Sequence, residues 1–365
     1  MDARSSAARV LVDLTSLVVL AACASTASPT SVPASPIPTS MPSVAVASPT
    51  PAPTPSPTTV AAPGPPTYGP VSVVTGTNTC STMDWTVTTD PDGTHHVRHG
   101  TVDCTTKADD PRVSGRHTDP GTVGFDLWGN PDAGRFSLVQ WATVRLENDG
   151  GTWEGQLSGI ASLPGWGDII TIWYRGTGGY AGLSYFELHT GQGLWKIQGQ
   201  VFPGDPPLPY STEATGTERP EAGGPVADKA VAVVTGTGTC PTADLGNATT
   251  DADGVTHYRG GTFRCTVTTD DPRVDGTETA PWNMDLWGTA DNGALVQWGT
   301  SRLENVAGAW EGAGSGVYSS DRGDIIAFWY KGTGSYAGLS YFELWTGSDP
   351  WTIRGLIFPG NPPTP

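Results

Sequence analysis

The sequence is short of charge: only 15% of its residues are Asp, Glu, Lys or Arg, fewer than the solvated faces of a helical protein call for. After residue 22 no segment places apolar residues at a 3.6-residue period, which argues against a helical architecture. The one apolar run near the N-terminus, Leu14 to Leu20, is too short to cross a bilayer as a helix. No C-x-x-C spacing occurs, which leaves dithiol redox chemistry without a motif. Ser-His-Asp, G-x-S-x-G, zinc-ligand and nucleotide-binding patterns are missing too. Basic residues are scarce. The net charge is −17, with 8 basic against 15 acidic residues in 71–207 and 7 against 15 in 231–365. Such a surface repels phosphate backbones and anionic lipid, so no nucleic-acid partner is expected.

What the chain has in plenty is glycine (48) and proline (33), the composition of many short strands joined by tight turns. It also repeats itself. Tyr174 to Leu188 reads YRGTGGYAGLSYFEL and Tyr330 to Leu344 reads YKGTGSYAGLSYFEL, differing only at Arg175/Lys331 and Gly179/Ser335. Further landmarks recur in the same order: TGT-x-T-C at Thr75 and Thr235, DDPRV at Asp109 and Asp270, DLWG at Asp126 and Asp285, and VQW at Val139 and Val296. RLEN follows at Arg145 and Arg302, WEG at Trp153 and Trp310, GDII at Gly167 and Gly323, and FPG at Phe202 and Phe358. A duplication of this kind divides the chain into a first repeat at 71–207, a linker at 208–230 and a second repeat at 231–365.

Upstream lie Arg4 and Arg9, the short apolar run, and Leu20-Ala21-Ala22-Cys23. LAAC resembles the lipobox of bacterial lipoproteins, which implies a signal peptide at 1–22, lipidation of Cys23 and a membrane partner through that anchor. Cleavage as an ordinary secretory signal near Ala24 is the alternative. Residues 23–70 are almost wholly Pro, Ser, Thr, Ala and Val without a charge, a disordered, extended tether with a reach on the order of 140 Å.

The remaining four cysteines fall in matching places. Turn sequences at Asp90 to Gly93 and Asp251 to Gly254 lie midway between Cys80 and Cys104 and between Cys240 and Cys265, so each hairpin brings its two cysteines opposite one another. Two cross-strand disulfides are predicted, as scaffold. Each repeat offers about eight or nine strands in a meander, which predicts an all-β protein of two tandem antiparallel barrels of about eight strands. Ile169 to Tyr174 is apolar on both faces, as a barrel with a partly polar interior or one packed against its twin requires. The run G-T-G-x-Tyr-x-G-Leu with a later W-x-I-x-G (Trp195 to Gly199, Trp351 to Gly355) resembles the allene-oxide-cyclase-like and dirigent-like small barrels and secreted bacterial proteins of the same kind. The resemblance implies a calycin-like or allene-oxide-cyclase-like fold and carries over no catalytic residue.

Candidate sites follow from residue types. D-x-D-G at Asp90 and Asp251 lacks the further ligands of a calcium loop and reads as a turn. DDPRV reads as a strand entry with a local ion pair rather than a cation site. His95, His96 and His99 cluster, but only His96 has a counterpart, His257, so they read as surface histidines and no metal is expected. Asp126/Asp285, Glu147/Glu304, Glu154/Glu311 and Glu187/Glu343 are the carboxylates open to acid–base work. Arg145 and Arg302 stand two residues before Glu147 and Glu304, the spacing of an intrastrand ion pair. Trp141, Arg145 and Glu147, with Trp298, Arg302 and Glu304, form the candidate ligand-binding set, and Trp166 and Trp282 read as exposed platforms. The sequence thus predicts an exported, membrane-anchored, monomeric lipoprotein on the extracytoplasmic face. Its modules would bind a carbohydrate, a small apolar ligand or a surface partner, without a cofactor and without catalysis. A secreted cyclase, isomerase or glycosidase is the alternative, and a structural envelope protein without ligand the second.

Overall fold

The computed structural model describes residues 71–207, 231–289 and 292–363. The signal peptide, Cys23, the tether and the linker lie outside them. The first repeat comprises β1 (Ser72–Thr89), β2 (His95–Ala108), β3 (Gly115–Asn130), β4 (Arg135–Asn148), β5 (Gly151–Leu163), β6 (Gly167–Gly178), β7 (Leu183–Gln192) and β8 (Leu194–Pro203). Each pairs antiparallel with the next, and β8 returns to β1, closing an eight-stranded barrel. The second repeat comprises β9 (Ala232–Asp244), β10 (Asn247–Thr250), β11 (Val255–Thr269), β12 (Gly276–Trp287), β13 (Ala294–Glu304), β14 (Gly308–Ser319), β15 (Gly323–Gly334), β16 (Leu339–Gly347) and β17 (Trp351–Pro359). Here β9 pairs with both β17 and β11, so this sheet closes as well, with β9 and β10 together taking the place of β1. No helix among the described residues is long and apolar enough to cross a membrane.

The predicted disulfides are in place. Cys80 faces Cys104 across β1 and β2, and both pairs, Cys80–Cys104 and Cys240–Cys265, are bonded. Closing loops of 24 and 25 residues stabilises each barrel by about 3 kcal/mol in the chain-entropy model.

The repeated motifs meet at one end of each barrel and close it. In the duplicated hairpin, Gly178 and Gly334 adopt φ of +63°, and a Cβ on Gly176 or Gly332 would meet the following tyrosine's carbonyl at 2.2 Å. That tight return lays Tyr180 flat on Trp153 and Tyr336 flat on Trp310, both at 5.0 Å between ring centroids. The Tyr180 hydroxyl donates to Asn148 Oδ1 and that of Tyr336 to Asn305 Oδ1. Each asparagine in turn donates from Nδ2 to carbonyls of the DDPRV turn, and Trp153 and Trp310 donate to Arg112 O and Arg273 O. In that turn Arg112 grips Asp110 at 2.6 Å, the local ion pair expected. RLEN, WEG, DDPRV and the hairpin are therefore parts of one floor.

Strand alternation puts Ile170, Ile172 and Tyr174 of β6 inside the barrel and Ile169 and Trp173 outside. The outer set is still buried, because it packs on the second barrel. The contact is reciprocal: Trp173 Nε1 donates to Ser315 Oγ (2.9 Å), and its twin Trp329 Nε1 donates to Ser158 Oγ, the twin of Ser315 (3.1 Å). Likewise Trp128 stacks on Phe358 at 6.0 Å, and Trp287 meets Phe202 at 5.9 Å. The barrels are thus related by a pseudo-two-fold axis, an isologous interface inside one chain. Phe186 and Phe342 of the duplicated hairpin belong to this interface.

The reciprocity predicts matched energetics. Trp173→Ala and Trp329→Ala should each destabilise the chain by about 3–5 kcal/mol, and Ser158→Ala and Ser315→Ala by about 1 kcal/mol each. Chemical denaturation checks this, and a large effect on one side only would contradict the symmetric interface.

Candidate functional site

The end of each barrel away from the floor is hollow. In the first barrel a cavity of about 160 Å³ lies among β1 to β8, lined by apolar side chains and by Asn78, His117, Asp119, Gln140, Asp168 and His189. In the second a cavity of about 330 Å³ is lined mainly by aromatic and aliphatic side chains, with Glu278, Gln297 and Asp324.

One polar triad is common to both. Asp168, at the start of β6, accepts from Gln140 Nε2 (2.9 Å) and from Trp195 Nε1 (2.9 Å). Its twin Asp324 accepts from Gln297 (2.6 Å) and Trp351 (2.8 Å). Burial pushes both carboxyls up, and the two hydrogen bonds only partly counter it. Neither has a basic side chain among its hydrogen-bond partners.

Deeper in, the barrels differ. His117 of the first is buried, with Asn78 Nδ2 at 3.4 Å from Nδ1 on one side of the ring and Nε2 on the other. That nitrogen lies 3.3 Å from Asp119 Oδ1, an ion-pair contact whose angles make no hydrogen bond, so both atoms are buried without a hydrogen-bond partner. Burial pulls His117 down, but the Asp119 and Glu187 carboxylates more than offset it and hold it above its ordinary value. His189 contacts Glu187 directly, and its ring lies 6.0 Å from that of His117. In the second barrel Glu278 stands where His117 does: His117 faces Cys104 and Leu146, and Glu278 faces Cys265 and Leu303. By the same register Ala280 replaces Asp119 and Trp345 replaces His189.

Of the residues singled out from sequence, Trp141 lines the first cavity and Trp282 the second, and the Arg/Glu pairs line neither. Arg145 pairs with Glu147 at 3.1 Å and Arg302 with Glu304 at 2.9 Å on the exposed outer face, as the spacing predicted, away from either cavity lining. Trp141 and Trp298 lie under Arg98 and Arg259, at 5.0 and 4.9 Å, and pack at the edge of the inter-barrel core. Trp282 is a correction: it is 3% exposed, lines the second cavity and donates to Gln297 Oε1. Trp166 is half-buried against the inter-barrel core rather than an open platform.

His96 and His257 are also more than adventitious surface groups. His96 Nδ1 lies 2.7 Å from Asp126 and Nε2 3.0 Å from Asp90, and Arg98 reaches Asp126 at 2.7 Å. The second barrel repeats the cluster with His257, Asp285, Asp251 and Arg259. Asp126 and Asp285 are thereby engaged on the outer face. Among the described residues no group of three or more His, Cys, Asp or Glu side chains is arranged to hold a metal ion.

No protein-family profile and no curated protein matches the chain. One solved structure, the vaccine antigen transferrin binding protein B of Haemophilus parasuis Hp5 as a double mutant, aligns over 80% of this chain and 76% of that one, at 7% identity and a TM-score of 0.11. At that score the likeness carries no argument about fold or function.

The duplicated histidine cluster makes a pH prediction. The Asp126 hydrogen bond first, then Asp90, raises His96, and the Asp285 hydrogen bond raises His257. A raised native value means stabilisation that is complete below the unfolded value near 6.5 and is lost as pH rises through the native one. NMR titration should find both rings titrating above 6.5, and Asp126→Asn and Asp285→Asn should each return the partner histidine to that range.

Proposed function

We propose that this protein is an exported, lipid-anchored binding protein whose two barrels each take a small, mainly apolar ligand into the hollow end. The observation that carries the reading is the pair of cavities, of about 330 and 160 Å³, at corresponding places in the two repeats. A barrel that needed only stability would be filled to crystal-like density. The floor of each barrel is packed that way, with Trp153 and Trp310 fully buried, while the opposite end holds space and buried polar atoms without partners. The larger volume lies at the lower edge of the range for small-molecule sites, and the smaller is about that of a cavity that holds benzene. The apolar lining favours such a ligand over a carbohydrate, whose hydroxyls need many hydrogen-bond partners. LAAC at Leu20 to Cys23 and the uncharged tether support attachment to an extracytoplasmic membrane face, with the barrels held away from it.

A second reading rests on one feature of the first barrel. Isomerisation by proton transfer needs a buried group that takes a proton and returns it, and His117 beside Asp119 meets that description.

Three outcomes test these readings. Naphthalene titrated into the intact protein should quench the fluorescence of Trp282, Trp345 and Trp351, and Ala280→Trp, which fills the second cavity, should weaken that quenching at least tenfold. Unchanged binding in the variant would refute the cavity site. Cys23→Ser should move the protein from the membrane to the soluble fraction and abolish palmitate labelling; retention in the membrane would exclude the lipid anchor. For the isomerase reading, incubating the protein in D₂O with small molecules extracted from its host envelope should add deuterium to one compound, and His117→Gln should not.

A further inference from the structure

We infer that the cavity of the second barrel is built for an organic cation: an ammonium group seated at Glu278 with an apolar, ring-sized body among the aromatic side chains. This rests on the reading that the cavity takes a ligand, and it specifies the ligand's charge.

The duplication supplies the comparison. In the first barrel two of the three inward acids lie against imidazoles, Asp119 against His117 and Glu187 against His189, while Asp168 is held by Gln140 and Trp195 as its twin Asp324 is by Gln297 and Trp351. At the same register positions the second barrel has lost both histidines, to Glu278 and Trp345, and has kept the acid of β7 as Glu343. Among the described residues lining this cavity there is no Lys, Arg or His. Its interior is acidic and lacks the cation its twin provides for itself.

Glu278 is held ready. It is 2% exposed, and its Oε1 accepts from Ser301 Oγ (2.6 Å) and Tyr330 Oη (3.1 Å), while Oε2 is buried with no hydrogen-bond partner. Ser301 stands where the first barrel has Val144, so the hydroxyl that fixes Glu278 came with the carboxylate. A buried carboxylate oxygen without a partner is costly unless something fills its place or the group stays protonated. The same cavity is lined by Trp282, Phe328, Trp345 and Trp351, aromatic side chains whose quadrupoles favour a cation over an anion.

The titratable groups that face Glu278 are Glu343, Tyr330 and Tyr341, with Asp324, Tyr258 and Tyr318 elsewhere on the lining. Burial, then the charge of Glu278, pushes Glu343 well above the usual carboxylate range, and burial raises Glu278. An entering ammonium therefore displaces a proton from this pair. Affinity is low where the pair is fully protonated and grows as pH rises through its raised values.

Calorimetry of the intact protein with three phenethyl probes of different charge tests the assignment: 2-phenylethylammonium, neutral 2-phenylethanol and anionic 3-phenylpropanoate. The ammonium should bind at least tenfold more tightly than the alcohol at pH 8, lose that advantage towards pH 5, and exceed the anion throughout. Glu278→Gln should bring the affinity for the ammonium down to that for the alcohol measured on the same variant. Should that variant fail to fold, Trp345→His, which restores the residue of the first barrel, should abolish the preference instead. Equal binding of ammonium and alcohol, or a preference untouched by either variant, overturns the cation assignment and leaves the cavity reading standing. Binding of none of the three overturns both.

Discussion

Closure of an eight-stranded sheet is the constraint on which the rest depends. Closure gives every strand but the short β10 two neighbours, and every second residue faces a narrow interior. What points inward must be packed, hydrogen-bonded or protonated. One end of each barrel obeys by packing: Trp153 or Trp310, a stacked tyrosine and an asparagine reach the backbone of the DDPRV turn. The other end obeys only in part, and there the Gln–Asp–Trp triads and the unpartnered atoms of His117, Asp119 and Glu278 collect.

Much of the fold was legible in the sequence because it is written in short-range terms. Turn residues between paired cysteines fixed both hairpins, and the near-identity of 174–188 and 330–344 fixed the repeat frame. The apolar run on both faces of β6 required a packed exterior, and the second barrel provides it through Trp173 and Trp329. The candidate site was much less legible. Matching residues mark the floor and also the Gln–Asp–Trp triad of each cavity, which the VQW, GDII and W-x-I-x-G landmarks carry, whereas the deeper cavity residues differ between repeats and have no landmark. His117 carries no motif, and its role depends on Cys104 opposite, Asn78 two strands away and Asp119 two residues on. One signal was available: His117 lies on the inward parity of β3, at a place where its twin is an acid. Trp282 misleads for the same reason, since with no aromatic twin it looked exposed while filling the space a larger cavity leaves.

Charge follows the same division between shared and private features. On the outer face both barrels keep the His–Asp–Arg–Trp cluster beside the interface, where each carboxylate is answered by an imidazole and a guanidinium. Inside, where screening fails, the barrels settle their acids differently, one with imidazoles and one with buried, raised carboxyls. The interior of the first sets imidazoles against two of its acids, and that of the second is left open to a counter-charge.

The pseudo-two-fold interface has a consequence for how such a molecule can change over time. Two identical subunits meeting through Trp173 and Ser158 would share one gene, so any alteration of a pocket would appear in both at once. Joined in one chain, each half is free to change alone, and the result is visible both at the seam, where Gln200 of one half answers to Leu356 of the other, and inside, where His117, Asp119 and His189 answer to Glu278, Ala280 and Trp345.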